Sequence, residues 1–376
     1  MKIGILTLPL HTNYGGILQA YALQTLLEEM GHEVKVINKE QKFRPIPRWR
    51  KPLSFVKRTL KKLLVDRRTV IDIEATMRRE LPIIHQHTDR FIRQYIHSYM
   101  VDSLADIRRD DFDAIVVGSD QIWRPHYFRI SWSNDYAESF LSFTDGWDIK
   151  RYAYGASFGV DEWEFPIDKT GEYSALVKKF IAVSVREDSG VNLCRRHLGV
   201  DAVHVLDPTM LLTKEHYLSL IDSACVPKSS GNLFYYILDM NASKKELIAR
   251  VARERALQPF TVYADIKNET APLADRISPP VESWLRAFVD ADFIVTDSFH
   301  GCAFSIIFGK PFIVIANLGR GLSRMQSLVG MFGLDDHLLL DVDSYDPKLS
   351  YNQPMTVKER LMMNRKISLD FLSDIK

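Results

Sequence analysis

The chain has 376 residues, of which 46% are hydrophobic, and this length favours two folded domains over one. Its 49 basic and 48 acidic residues give a formal charge of +1, so charge excludes a general attraction to nucleic acid. The three cysteines are widely spaced and form no Cys-x-x-Cys pair, which argues against structural zinc and suits a reducing, cytoplasmic compartment. Residues 1–8 form an apolar run too short for a signal peptide or a membrane span.

The first elements along the chain are a strand, a turn and a helix. Alternating apolar residues predict a parallel strand over 2–8, and helical spacing predicts a helix over 17–30. The turn between them contains Asn13, Gly15 and Gly16. In α/β sheets, backbone N–H groups at this position face a ligand, although glycines that only make the turn explain the pair equally well. The turn does not match Gly-x-Gly-x-x-Gly, so a dinucleotide is not specifically indicated.

Residues 41–103 interrupt the α/β pattern and predict an insertion of helices. The segment 42–68 contains eleven basic residues and a single acidic one, Asp66. Leucines and aromatic residues alternate with these charges, so a basic amphipathic helix could lie on an anionic membrane surface. The alternative, which is the preferred interpretation, is a solvated helix that packs on the domain by its apolar face.

Four apolar segments then predict further strands that end in polar residues. They cover residues 113–120, 151–157, 180–187 and 203–209, and their ends include Ser119, Asp120, Ser157, Arg186 and Asp207. The carboxyl ends of parallel strands meet at one edge of a sheet, so these side chains are expected to cluster there. Trp123 and Arg124, just beyond the first of these strands, would suit a sugar ring or a phosphate.

The composition around 222–232 is typical of a loop and predicts a domain boundary. The predicted units are an N-terminal Rossmann-like domain over 1–222, a C-terminal Rossmann-like domain over 232–350, and a helix over 355–376 that packs back on the first domain. In the second domain a helix is predicted over 281–290 and a strand over 312–315.

The stretch 294–315 has the strongest functional signal. It predicts a strand, a turn and a packed helix over 303–308, followed by another strand. The turn contains Thr296, Asp297, Ser298, His300 and Gly301. A histidine at this edge can exchange protons near neutral pH, and the following helix begins where an anion is stabilised. A packing histidine is the alternative for this residue taken alone.

The chain resembles the polysaccharide pyruvyl transferase family in the order of five short motifs. They are Asn13-Tyr-Gly-Gly16, Val117-Gly-Ser-Asp-Gln-Ile-Trp123, Ser184-Val-Arg-Glu187, Asp207-Pro-Thr209 and Thr296-Asp-Ser-Phe-His-Gly301. The resemblance implies an α/β fold of two Rossmann-like domains facing a cleft, as in the GT-B glycosyltransferases. It also implies transfer of a pyruvyl group from phosphoenolpyruvate to two sugar hydroxyls of a cell-surface polysaccharide or its lipid-linked precursor, forming a cyclic ketal.

Within this resemblance His300 is the expected general acid and base, and Asp120 is expected to orient the acceptor. Some family members carry an arginine two residues before the histidine, where this chain has Ser298. The expected substrate-binding residues are Asn13, Gly15, Gly16, Ser119, Trp123, Arg186, Ser298, Gly301, Arg320 and Arg324, of which the three arginines could hold the anionic donor. No metal and no cofactor is expected beyond phosphoenolpyruvate as the donor substrate.

Two other functions stay open. The same architecture would serve a GT-B-type glycosyltransferase that uses a nucleotide-sugar donor. The segment 42–68 would also suit a non-catalytic polysaccharide-assembly or membrane-associated binding protein. The expected partners are phosphoenolpyruvate and a saccharide or lipid-linked oligosaccharide, with no nucleic acid. The expected location is the cytoplasm, with peripheral contact between 42–68 and the inner face of the membrane.

Overall fold

The computed structural model describes residues 1–40, 46–266, 268 and 270–375, and its first sheet is built from N-terminal strands. These are β1 (Lys2–Leu6), β2 (Glu33–Asn38), β3 (Ser98–Met100), β4 (Ala114–Val117), β5 (Lys150–Ala156), β6 (Ala182–Val185) and β7 (Val203–His204). The described strands pair in parallel in the order β3-β2-β1-β4-β5-β6-β7. The order reverses between β1 and β4, which is where open α/β sheets bind ligands.

The second sheet is formed by the C-terminal half of the chain. Its described strands are β8 (Leu233–Tyr236), β9 (Pro259–Phe260), β10 (Phe293–Thr296), β11 (Phe312–Ile315) and β12 (Leu338–Leu339). They are also parallel, in the order β12-β11-β10-β8-β9, and the reversal lies between β8 and β10. Strands such as β4 and β10 are buried along their whole length, because helices cover both faces of a parallel sheet.

The helices cover the two sheets and connect them. They are α1 (Tyr14–Glu29), α2 (Lys51–Leu64), α3 (Ile73–Ile84), α4 (Gln86–Tyr95), α5 (Pro125–Ser131), α6 (Thr170–Val177), α7 (Asp188–Leu193), α8 (Lys214–Ala224), α9 (Ala242–Glu254), α10 (Leu273–Arg276), α11 (Val281–Asp290), α12 (Phe299–Phe308), α13 (Leu322–Phe332) and α14 (Met355–Ser373). In the described part of the chain, no helix is both long enough and apolar enough to cross a membrane.

The two halves are joined by contacts that fix one domain against the other. The Tyr14 ring at the start of α1 stacks on Trp284 of α11, with ring centroids 5.6 Å apart. Arg90 of α4 donates to both carboxylate oxygens of Glu282, at 2.7 and 2.6 Å. At the C-terminus α14 crosses back to the first domain, where the Ser368 hydroxyl accepts a hydrogen bond from the Leu206 N–H at 2.9 Å. The architecture is therefore two Rossmann-like domains closed on each other, as in GT-B enzymes.

Two local predictions about these elements were wrong. The strand expected over 203–209 is only two residues long, because Pro208 has no N–H to donate and begins a short 3₁₀ turn instead. The helix expected over 303–308 begins at Phe299, since the Ser298 hydroxyl caps it by accepting from the Gly301 N–H at 3.4 Å. His300 consequently lies in the first turn of α12 rather than in a loop.

The preferred interpretation of the basic insertion was also wrong. The leucines of α2 point to solvent, and the opposite side of the helix contacts the domain. There Lys51 forms an ion pair with Glu74 of α3, and Arg58 donates to the Val70 carbonyl at 3.0 Å. Lys42 and Arg44, which belong to the same predicted segment, lie outside the described residues.

Candidate active site

His300 is held at the junction of the two domains by the turn between β10 and α12. A Cβ atom on Gly301 would lie 2.2 Å from the Thr296 hydroxyl oxygen, so only glycine lets α12 begin this close to β10. Ser298 caps the helix, as described above. Both residues therefore position His300, and their expected contacts with substrate stay predictions.

The imidazole of His300 packs directly on the β1–α1 turn of the opposite domain. A Cβ atom on Gly15 would lie 2.0 Å from His300 Nδ1, so the ring occupies the space that any other side chain would need. His300 is 6% exposed, and its Nε2 lies 3.6 Å from Asp207 Oδ2. This separation is too long for a hydrogen bond, and it is an ion pair only when the imidazole is protonated. The catalytic candidate is thus completed by residues of both domains.

Asp207 connects the polar strand ends of the first domain. Its Oδ2 accepts hydrogen bonds from the Ser119 hydroxyl at 2.9 Å and from Arg186 Nη1 at 2.6 Å. Its Oδ1 accepts from the N–H and the hydroxyl of Thr209, at 3.0 and 2.7 Å. Burial alone would raise the pKa of Asp207, but the charges of His300 and Arg186 outweigh it and hold that pKa well below its usual range. Asp207 is therefore a permanent anion facing His300.

Two arginines both contact the ring of Phe299. The guanidinium carbons of Arg186 and Arg324 are 4.3 and 5.5 Å from the ring centroid, and both side chains are buried. Burial, followed by the neighbouring charge of Arg186, lowers the pKa of Arg324 to about 10, although Asp120 and Glu187 oppose this shift. Arg324 nevertheless stays protonated at neutral pH, so two cations share one buried region.

Several nitrogens in this basic cluster of Arg186, Arg324 and His300 have no hydrogen-bond acceptor among the described residues. They are Arg186 Nε and Nη2, Arg324 Nε and His300 Nε2. A buried donor without a partner is costly, and charged donors cost the most. Arg186 Nη2 has only a longer ion pair, 3.7 Å from Asp120 Oδ1. The chemistry of these donors suits a small, highly charged anion.

Asp120 separates the basic cluster from the open cleft. Its backbone is in the left-handed region with φ 67°, which costs a non-glycine residue on the order of 1 kcal/mol and often marks a functional site. Its Oδ1 accepts from the Gln121 N–H at 2.9 Å, and its Oδ2 approaches Gly16. The carboxylate therefore faces both the cluster and the β1–α1 turn, and its expected role in orienting an acceptor stays a prediction.

The cleft itself holds a cavity of about 470 Å³ between the domains. Its wall includes Asn13, Gly16, Asp120, Tyr127, Tyr263 and Arg320. Aromatic rings beside polar groups are typical of a sugar site. The guanidinium group of Arg320 donates to both carboxylate oxygens of Asp239, from Nε to Oδ2 and from Nη2 to Oδ1 at 3.0 Å. Arg320 thus belongs to the cleft wall rather than to the basic cluster.

Trp123 does not reach the cleft, and the prediction that it binds substrate is wrong. Its side chain is fully buried between Phe140 and Phe158, with ring centroids 5.4 and 5.3 Å away. The indole N–H donates to the Ser139 carbonyl at 3.0 Å. The residue is part of the hydrophobic core of the first domain. Periodicity could not reveal this, because the chain turns sharply at Asp120.

Fold and site together define a GT-B-like protein with a buried basic cluster beside a cavity between two Rossmann-like domains. Within the described ranges, no group of three or more His, Cys, Asp or Glu side chains is arranged to hold a metal ion. The chain belongs to the polysaccharide pyruvyl transferase family, whose sequence profile matches residues 13–319. Membership confirms the resemblance seen in the motifs and makes the protein an enzyme.

Comparison with solved structures gave matches at low identity. Arabidopsis thaliana UGT89C1 in complex with UDP-L-rhamnose is 10% identical, with 99% of this chain and 98% of that chain covered and a TM-score of 0.48. UDP-GlcNAc 2-epimerase from Neisseria meningitidis bound to UDP-GlcNAc is 12% identical, with 100% and 95% covered and a TM-score of 0.45. Comparison with curated protein sequences gave no significant match.

Proposed function

We propose that this enzyme transfers the pyruvyl group of phosphoenolpyruvate to two hydroxyls of a sugar, forming a cyclic ketal on a cell-surface polysaccharide or its lipid-linked precursor. The observation that supports this most directly is the set of unpaired, buried nitrogens on Arg186, Arg324 and His300. Phosphoenolpyruvate carries a carboxylate and a phosphate on the same carbon atom, and guanidinium groups bind both in bidentate geometry. An arginine is therefore not needed at the position of Ser298, because Arg186 and Arg324 supply the positive charge that holds the donor.

The reaction needs a proton donor for the methylene carbon of the donor. In the proposed sequence His300 gives a proton to that carbon while a sugar hydroxyl forms a C–O bond to the adjacent carbon and passes its proton to Asp120. The bond to phosphate then breaks, and the phosphate leaves with the bonding electrons. A second hydroxyl then attacks the resulting cation, closes the ketal and passes its proton to His300, while Asp120 gives its proton to the departing phosphate. Asp207 stays ionised throughout and holds His300 toward the donor.

The acceptor sugar would occupy the cavity beside Asp120. Tyr127 and Tyr263 offer ring faces for stacking on the apolar side of a sugar, while Asn13 and Arg320 offer polar contacts. Asp120 lies between this cavity and the basic cluster, within ion-pair range of Arg186. A hydroxyl in the cavity could therefore approach a donor held by the arginines.

Phosphate release tests donor and reaction class together. Phosphoenolpyruvate incubated with the enzyme and a glycolipid extract should release inorganic phosphate, and release should require both enzyme and extract. In a parallel thermal-shift measurement, phosphoenolpyruvate at about a hundred times its dissociation constant should add about 2.7 kcal/mol to the unfolding free energy. Stabilisation by a nucleotide sugar instead, without phosphate release, would identify a glycosyltransferase and reject the proposal.

Arg324→Gln should weaken donor binding without weakening the fold. Losing a charged hydrogen-bond donor costs about 1.5 to 3 kcal/mol, so the half-saturating concentration of phosphoenolpyruvate should rise roughly ten- to hundredfold. The free variant should be at least as heat-stable as the parent, because the substitution removes the repulsion between two buried guanidinium groups. Unchanged donor kinetics would exclude Arg324 from the donor site.

A further inference from the structure

The helix α2 carries its apolar face on the outside of the molecule. Leu53, Val56, Leu60, Leu63 and Leu64 recur at helical spacing on one side, and they are 70%, 57%, 51%, 72% and 79% exposed. A surface helix normally turns such a face to the core. A contiguous exposed apolar face therefore indicates a surface that binds another protein or a membrane.

The attachment of α2 explains why this face points outward. The ion pair between Lys51 and Glu74 and the hydrogen bond from Arg58 to the Val70 carbonyl both lie on the side turned to the domain. Trp49, just before the helix, is 73% exposed as well. Indole rings of this kind are enriched at membrane–water interfaces, where an amphipathic ring has both an apolar and a wet neighbour.

The charged side chains around the apolar face are almost all positive. Residues 46–68 contain nine lysines and arginines and one carboxylate, Asp66, whereas the whole chain has a formal charge of only +1. The rest of the chain is therefore net negative, and the positive charge is concentrated at this helix. Lys57 and Lys61 are exposed beside the leucines, where their long side chains can reach anionic headgroups while the leucines insert.

We propose that α2 docks this enzyme onto an anionic lipid bilayer, with the helix axis in the plane of the membrane and its leucines among the acyl chains. A second copy of the chain fits this surface less well, since two such helices would bring their basic side chains together. A nucleic acid would use the charges but would leave the leucines without a partner. Only an anionic bilayer matches both the apolar face and the charges.

The position of α2 relates this surface to the acceptor cleft. Glu74, which holds α2, belongs to α3, and the same helix lines a second cavity of about 990 Å³ through Leu81 and Pro82. That cavity shares Leu10 and His11 with the wall of the cleft cavity. If the proposed function holds, the docked enzyme would thus offer its acceptor a route from the membrane side to the cleft.

Vesicle sedimentation with the full-length protein tests the docking itself. The protein should sediment with phosphatidylcholine vesicles containing about 30% phosphatidylglycerol at low salt, at least roughly tenfold more strongly than with pure phosphatidylcholine. Binding should fall sharply at about 0.5 M salt, which screens the basic side chains. The double substitution Leu60→Ser with Leu63→Ser should reduce binding to the anionic vesicles at least about tenfold.

The matched control removes two equally exposed apolar side chains elsewhere. Met362 and Met363 on α14 are 56% and 59% exposed, and their replacement by serine should leave vesicle binding unchanged. The α2 variant should keep its thermal midpoint and its turnover with a water-soluble acceptor, which separates docking from the reaction. The proposal fails if the unsubstituted protein does not bind anionic vesicles, or if the α2 variant binds them as strongly as the unsubstituted protein does. It also fails if light scattering shows a dimer that the α2 variant converts to a monomer.

Discussion

His300→Gln is expected to lower the turnover number by about a hundredfold to ten-thousandfold, the usual contribution of a positioned acid or base. Glutamine fills similar space between Gly15 and Asp207 but cannot exchange a proton at neutral pH. Donor binding should change far less than turnover, because Arg186 and Arg324 remain in place. Steady-state phosphate release at varied phosphoenolpyruvate concentration measures both quantities.

A buried histidine in the same domain provides the control for this substitution. His337 is also 6% exposed and packs on Phe312, with ring centroids 4.6 Å apart, so His337→Gln imposes a comparable change of shape away from the cleft. That variant should keep parental kinetics. If His300→Gln turned over at a near-normal rate while folded, the proton would have to come from another group.

Gly15→Ala is expected to have an effect of similar size by a different route. The added methyl group would lie 2.0 Å from His300 Nδ1 and 2.2 Å from its Cγ, which no real contact tolerates. The imidazole is buried, so either the two domains must separate or the ring must leave its place beside Asp207. A misplacement of about 1 Å costs on the order of a hundredfold in rate. We therefore expect at least that loss, measured as phosphate release.

The control is a glycine-to-alanine substitution at a position where the added methyl group meets no other atom. A Cβ atom on Gly171, at the start of α6, meets nothing within 4 Å, so Gly171→Ala should leave the rate unchanged. Gly15→Ala should also lower the thermal midpoint, because closure of the domains is disturbed, whereas Gly171→Ala should not. Parental activity in folded Gly15→Ala would mean that the packing of His300 on the turn is not needed for turnover.

The regular elements could be predicted because each depends on a local pattern. The helix α11 and the strand β11 have the bounds that apolar spacing predicts, and the polar strand ends at Ser119, Arg186 and Asp207 do meet at one edge. Parallel strands place their carboxyl ends together whatever the intervening sequence. His300 was found for the same reason, as a titratable side chain directly after a buried strand.

Other features could not be predicted, because they depend on contacts between distant segments. Nothing local distinguishes Asp207 from other strand ends, although its place in a shared motif was a usable signal. The grouping of Arg324 with Arg186 around Phe299 arises only when the two domains close. The outward direction of α2 depends on single contacts such as Lys51 with Glu74, which periodicity does not contain.

The packing of His300 on Gly15 also has a consequence for the rate of the catalytic cycle. The imidazole and both guanidinium groups are buried, so under the proposed function the donor anion would reach them only if the domains separate. Each cycle would then break and remake the stacking of Tyr14 on Trp284 and the pairing of Arg90 with Glu282. Under the proposed function, the rate of this domain opening would set an upper limit on turnover, however fast the bond-making steps are.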